Sequence, residues 1–294
     1  MTPSAVLLLP AMLLALALSH AEAQPAEAAD GADVRATTTY TLLPAARVVH
    51  VSAQVTLRNV KRDGPGLRYY FSGYGLGIHR EATSVRVTRA GKPLAVSVSA
   101  GKGSRVVEVQ FGTRVFHGQS VRFQVEYDLP DAGARSRSLI RVGRAFAGFY
   151  AYAYGEERGE VQVILPAGFR VTAQEGERMA TSRREDGASV LSASEIREPN
   201  RWWAYVAADR PAALRVENFE VSVGGNRRPV TLKAWPEDAV WATTVRARLE
   251  GGLPIVTQLI GLPWPVTGAL EVSQVFSPLL GGYAGIYYQG RDQI

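Results

Sequence analysis

Between Val48 and Arg58 the chain alternates residue by residue. Val49, Val51, Ala53, Val55 and Leu57 fall on one side, and His50, Ser52, Gln54, Thr56 and Arg58 on the other. A period of two puts the first set on the buried face of a β-strand and the second in solvent. Further short segments of strand composition follow: Ser84–Thr88, Leu94–Val98, Arg105–Phe111, Val121–Tyr127, Glu160–Leu165, Phe169–Ala173, Val190–Ala193, Trp202–Ala207 and Leu214–Val223. Gly, Pro, Asp and Asn punctuate them at short intervals, as at Arg89-Ala90-Gly91-Lys92-Pro93. Such spacing predicts an antiparallel β-sandwich over residues 35–228. No repeat of fixed period accompanies it, which argues against a propeller or solenoid.

With 294 residues, 46% of them hydrophobic and 20% charged, the chain can bury a sizeable core in one large or two ordinary domains. It has no cysteine. That excludes a disulfide framework, thiolate metal sites and a thiol nucleophile, so packing alone must stabilise the fold. The net charge of +6 is dispersed, without a run of five like charges, and nucleic acid is not an expected partner.

Val6 to Leu18 is a nearly unbroken apolar stretch, too short to span a bilayer as a helix. Ala21-Glu22-Ala23 after it has the small-x-small pattern that signal peptidase accepts, so residues 1–23 read as a secretory signal peptide. Residues 24–34 read as a flexible leader. Cleavage would leave a secreted, extracytoplasmic protein. An uncleaved segment would anchor it to a membrane, and no other transmembrane span is expected.

The pattern changes after Pro229. Val230–Ala234 reads as one more strand, and Trp235-Pro236-Glu237-Asp238 as the opening of a helix, with acidic residues complementing its dipole. Val240, Trp241, Val245 and Leu249 recur at helical spacing; Gly251-Gly252 and Pro254 are expected to interrupt the helix. Ile255, Val256, Leu259 and Ile260 form a second apolar stripe, and Leu270–Phe276 and Ile286–Tyr288 read as strands. Residues 229–294 thus look like the start of an α/β domain, too small to hold a full core of its own.

Chemistry-bearing residues are sparse. The histidines are His20, His50, His79 and His117, with no second histidine four residues on and no His-Glu-x-x-His. A catalytic zinc site is not legible from them. His50 reads as a polar strand residue, and His79 and His117 as loop residues. No Gly-x-Ser-x-Gly elbow supports a serine triad. Glu156, Glu157 and Glu160 lie near Tyr150, Tyr152 and Tyr154, a combination suited to sugar rings, although a solvated hairpin tip explains the carboxylates as well. Of Trp202 and Trp203, adjacent on a strand, one should face the core.

In the order of its parts the chain resembles the aminopeptidase N-like gluzincin family of zinc metallopeptidases. The local similarity is best at Trp235–Ile260, Gly261-Leu262-Pro263-Trp264-Pro265, Leu270–Phe276 and Gly281–Tyr287. The resemblance implies a mainly β fold, an antiparallel β-sandwich followed by the beginning of a small α/β (thermolysin-like) domain. It also implies that Gly281, Gly282, Tyr283, Ala284 and Gly285 correspond to the family's substrate-binding edge strand. In the family that strand carries a Gly-x-Met-Glu-Asn motif; its glutamate and asparagine are missing here, which leaves aminopeptidase specificity without support. No zinc ligand matches, so zinc is expected only in a longer, complete protein, and this chain is expected to be inactive. The implied function is the non-catalytic front of a secreted or cell-surface metallopeptidase-like protein, its sandwich supporting a peptide-binding cleft. The alternative is a secreted β-sandwich module that binds cell-envelope carbohydrate or protein through aromatics such as Tyr152 and Trp203. The expected partner is accordingly a peptide or a component of the cell envelope.

Overall fold

Alternating side chains become strands through most of the described chain, which in the computed structural model comprises residues 31–134, 136–260, 268–276 and 278. In order the first strands are β1 (Ala32–Leu43), β2 (Val48–Asn59), β3 (Tyr70–His79), β4 (Thr83–Arg89), β5 (Lys92–Pro93), β6 (Ala95–Ala100), β7 (Ser104–Phe116) and β8 (Ser120–Pro130). Next come β9 (Arg141–Val142), β10 (Phe146–Tyr152), β11 (Arg158–Leu165), β12 (Arg170–Gly176), β13 (Ala180–Arg183), β14 (Ser189–Ile196) and β15 (Trp203–Asp209). The last elements are β16 (Arg215–Val223), β17 (Asn226–Ala234), α1 (Ala239–Ile260) and β18 (Leu270–Ser273).

An eight-stranded sheet of order β13-β14-β11-β1-β2-β8-β4-β5 forms one layer. Two smaller sheets, β12-β15-β10-β9 and β3-β7-β6, face it. Val49, Val51, Ala53, Val55 and Leu57 are buried as the alternation requires, in one core with Val107 and Val109 of β7, Phe149 of β10 and Val206 of β15. Rings meet across the layers: Tyr40 stacks on Phe149 with centroids 6.2 Å apart, and Phe111 meets Phe123 at 5.6 Å. The fold is mainly β and mostly antiparallel, as expected, but β1 and β11 pair in parallel, with Thr37 opposite Glu160.

Three expectations need correction. The sandwich begins at Ala32, not after residue 34, because Ala32, Val34 and Ala36 already alternate into the core and pair with β2. At the other end β16 does not complete the sandwich. Gly224 and Gly225, both with positive φ, turn it back on β17, and the pair forms a separate sheet of order β16-β17-β18. Its core is Val221, Val223, Val230, Leu232, Ala234, Ala242, Leu270 and Val272. Finally, α1 runs unbroken through Gly251, Gly252 and Pro254. Trp241, Val245, Leu249 and Leu253 all pack on the sheet, and tertiary burial on both sides of the glycines outweighs their poor propensity.

Pairing of β17 with β18 is parallel, so β17-α1-β18 is a β-α-β crossover, the unit from which α/β layers are built. Asp238 caps its helix: Oδ1 accepts from the Trp241 N–H at 3.2 Å, while Oδ2 accepts from Gln274 at 2.9 Å. Val240, Ile255, Val256 and Leu259 lie exposed on the outer side of α1. The Ile260 side chain, Val6–Leu18, Ala21-Glu22-Ala23, residues 24–30 of the leader and Ile286–Tyr288 lie outside the described residues. Among the described residues no helix is long and apolar enough to cross a membrane.

Candidate functional site: an aromatic ladder and a buried tyrosine–histidine network

The outer face of the small sheet β12-β15-β10-β9 is aromatic. Antiparallel register sets Tyr150 opposite Tyr205 and Tyr152 opposite Trp203. Alternation sends the intervening Phe149, Ala151, Ala204 and Val206 inward, where they are buried. The Tyr150 centroid lies 5.0 Å from that of Tyr205, 5.9 Å from Trp203 and 6.1 Å from Tyr152, the last pair only 11° from parallel. Gly148 makes room for the ladder, since a Cβ there would lie 2.3 Å from Tyr205 Oη. The Tyr205 hydroxyl donates to the Leu139 carbonyl at 3.2 Å. Across the edge pair, Glu175 stands opposite Tyr205.

Burial pushes the Tyr152 hydroxyl up to about 12, with smaller contributions from Tyr150 and Glu81. Tyr150 and Tyr205 are likewise raised, first by burial, with the Glu175 carboxylate adding to it. These hydroxyls stay protonated in neutral solution. The ladder therefore offers the half-buried rings of Tyr150, Tyr152 and Trp203 and neutral hydroxyls, while Tyr205 is buried beneath its neighbours.

Beneath it lies a network that the sequence did not disclose. His79, read as a loop residue, is the buried last residue of β3. Its Nδ1 lies 2.8 Å from Tyr127 Oη and its Nε2 2.9 Å from the Tyr150 carbonyl oxygen. Tyr127 Oη is 2.5 Å from Tyr154 Oη. Tyr40 Oη donates to the Tyr152 carbonyl at 3.1 Å and accepts from its N–H at 2.9 Å. Burial lowers the His79 pKa from 6.5 to about 4 and raises those of Tyr40, Tyr127 and Tyr154.

The other candidates disperse. His50 is on the polar face of β2, where Nδ1 meets Asp128 at 2.9 Å, and His117 is exposed in the turn after β7. Among the described residues no three His, Asp or Glu side chains form a group that could hold a metal, and with both His79 nitrogens engaged in the core, these residues do not fit a zinc ion. Glu156, Glu157 and Glu160 do not share a site with the tyrosines. The segment between β10 and β11 passes from one sheet to another, so no hairpin tip forms. Glu156 accepts from Tyr74 at 3.0 Å, and Glu160 accepts from Thr37 at 3.3 Å on the far side of the sandwich. Trp202 is in the core and Trp203 on the ladder, as the adjacent pair predicted. Gly281, Gly282, Tyr283, Ala284 and Gly285 lie outside the described residues.

One end of the aromatic face is covered. Phe146, at the start of β10, stacks on Trp235 with centroids 5.0 Å apart and planes 9° apart, and meets Phe276 at 5.2 Å. The Arg144 N–H donates to Glu237 at 2.8 Å alongside. Trp235 and Phe276 flank the crossover, which therefore docks on the same sheet face that carries the ladder.

No family model and no curated protein matches the chain. Solved structures similar to it include an M1 zinc metallopeptidase from Deinococcus radiodurans, at 15% identity and TM-score 0.39, covering 83% of this chain and 57% of that one. A mutant of that enzyme bound to a Tyr-Ser-Ala substrate is similar at 16% identity and TM-score 0.38, covering 83% and 56%. Legionella pneumophila aminopeptidase A in complex with aspartic acid is similar at 11% identity and TM-score 0.35, covering 83% and 29%. The chain thus spans little more than half the length of the first of these enzymes. No site residue is carried over from them.

Proposed function

We propose that this chain is the non-catalytic front part of a secreted or cell-surface metallopeptidase-like protein, in which the sandwich holds a peptide-binding α/β unit in place. The observation that carries the reading is the docking of the crossover on the sandwich. Trp235 and Phe276, before and after it, both close on Phe146, so the loop into α1 and the exit from β18 are fixed to one sheet. A rigid support of this kind suits a cleft that must hold an extended substrate. In this reading Gly281–Gly285 pair with a peptide by strand addition, and zinc belongs to residues beyond those described.

Hydrogen exchange on the full chain tests the reading. A saturating apolar tripeptide should slow exchange of the backbone amides at residues 281–288. Unchanged exchange there, or protection confined to the sandwich, would remove the peptide cleft from the proposal.

The ladder favours a second reading, a binding module for cell-envelope carbohydrate, since its rings and hydroxyls suit sugars. Replacing Tyr152 or Trp203 by Ala would then abolish retention on cell-wall polysaccharide while leaving the protein folded. Equal retention of both variants would eliminate it.

A further inference from the structure

The outer face of the large sheet carries a trough with a volume of about 520 Å³, within the range of ligand sites and on the opposite side of the sandwich from the ladder. It crosses the strands from β14 through β11, β1, β2 and β8 to the turn after β4. Strand register arranges its side chains in two cross-strand rows. The first is Glu160, Thr37, Gln54, Gln124 and Thr88, each opposite the next. The second is Arg158, Arg35, Thr56 and Arg122. Neighbours within a row are one strand spacing apart, about 4.8 Å, so each row presents a regular series of polar groups.

The ends of the trough are built by unusual backbone. Ala90, in the β4–β5 turn, has φ 49°, and Glu195, where the β11–β14 pairing shifts register, has φ 59°. Both are non-glycine residues in the left-handed region, which costs about 1 kcal/mol each.

The charges discriminate among ligands. Arg35 is held by Asp33 through bonds of 2.9 and 3.0 Å, and Arg158 meets Glu195 at 3.1 Å. Arg122, in the same row, is exposed and has no carboxylate partner among the described residues. A guanidinium so placed can take one carboxylate in bidentate fashion. Beside it, Gln54 and Thr88 offer donors and acceptors together, while Gln124, which donates to Ser52 and Glu126, and Thr37, which donates to Glu160, offer acceptors, the combination that hydroxyl groups need. Phe123, the aromatic residue of the lining, is buried in the core and offers no ring for stacking a base.

We propose that this trough binds an acidic oligosaccharide, with a uronate carboxylate on Arg122 and hydroxyls on Gln54, Gln124 and Thr37. Calorimetric titration of the full chain with trigalacturonate, triglucuronate and trimannuronate tests it, alongside the methyl ester of the best binder and inorganic phosphate. At least one acid trimer should bind, with its ester weaker. Arg122→Gln should weaken the acid about tenfold, the loss expected of one charge-assisted contact. The double variant Gln54→Ala/Gln124→Ala should weaken acid and ester alike. Arg227→Gln, exposed on the β16–β17 hairpin away from the trough, should change nothing, and unchanged melting should show that each variant is folded. The proposal is overturned if no trimer binds at millimolar concentration, if Arg122→Gln binds like wild type, if Arg227→Gln weakens binding as much as Arg122→Gln, or if phosphate displaces the trimer at equal concentration.

Discussion

His79 Nδ1 lies 2.8 Å from Tyr127 Oη inside the sandwich, and the pair defines the protonation state of the whole network. The partner of Nε2, 2.9 Å away, is the Tyr150 carbonyl, which can only accept. Nε2 must therefore carry the proton, and Nδ1 must accept from the Tyr127 hydroxyl. Tyr127 Oη in turn accepts from Tyr154. The bonds run in one direction, Tyr154 to Tyr127 to His79 to the Tyr150 carbonyl, and tie β3, β8 and β10 together around a neutral imidazole.

Acid should weaken the fold before it titrates most carboxylates, because the unfolded chain takes up a proton at His79 first. The His79 pKa falls from 6.5 to about 4 on burial, so between those values the unfolded chain binds the proton and the folded one does not. The stabilising effect of a neutral His79 is complete above pH 6.5 and is lost as pH falls toward 4, by roughly 1.4 kcal/mol per unit and about 3 kcal/mol in all. Urea midpoints measured from pH 7.5 to 4.5 should fall more steeply for wild type than for His79→Gln. Parallel slopes for the two proteins would mean that His79 is not the group responsible.

The docking of the crossover should depend on one ring pair. Trp235 is buried and stacks on Phe146, with Arg141 5.5 Å from its ring on another side. Trp235→Ala should destabilise the protein by about 3–5 kcal/mol, the usual cost of removing a buried aromatic. It should also make the connection between β15 and β16 more sensitive to limited proteolysis than the sandwich strands. Equal cleavage in both proteins would mean that the unit is held elsewhere.

Where alternation was regular, as in β2 and β8, the sequence disclosed the strands and their buried faces. It did not disclose β1, because threonines occupy both faces and the inward Thr38 is fully buried. Nor did β3 read as a strand, although its pattern is regular. Gly73, Gly75 and Gly77 alternate with the buried Tyr74, Leu76 and Ile78, and a Cβ on Gly73 would lie 2.6 Å from the Val109 carbonyl. Glycine there serves close approach to β7, whereas in a sequence it signals a turn, so His79 reads as a loop residue although it ends a buried strand. The ladder was half legible. Tyr152 and Trp203 stood out by composition, but only antiparallel register pairs them and brings in Tyr205. Pattern also identified β16 as a strand without saying which sheet it joins, since sheet membership depends on contacts distant in sequence.

Helix α1 tolerates two consecutive glycines that pack on nothing. A Cβ added at Gly251 or Gly252 would meet no atom within 4 Å, and neither has positive φ. Gly251→Ala should therefore stabilise the protein by about 0.5–1 kcal/mol through helix propensity and a less free unfolded chain. An upward shift in the urea midpoint with an unchanged slope would report it. A destabilised variant would show that the helix needs flexibility at this point.

Asp131 should prove more costly to neutralise than any surface acid. Its side chain is 2% exposed and pairs with Arg47 and, at 3.6 Å, with Arg141, itself 3% exposed; it also accepts from the Val142 N–H at 2.9 Å. Arg141 Nε and Nη1 have no hydrogen-bond partner among the described residues, so Asp131 is the compensating charge close to them. Asp131→Asn keeps the shape and an acceptor for Val142 but leaves the guanidinium buried without its counter-ion, which typically costs about 3–5 kcal/mol. Replacing the cation as well should relieve most of that cost, because Met fills the space and carries no charge. The double variant Asp131→Asn/Arg141→Met should thus be more stable than Asp131→Asn alone. Chemical denaturation of the four proteins in the cycle measures the coupling, and additive effects would show that the two charges do not compensate each other.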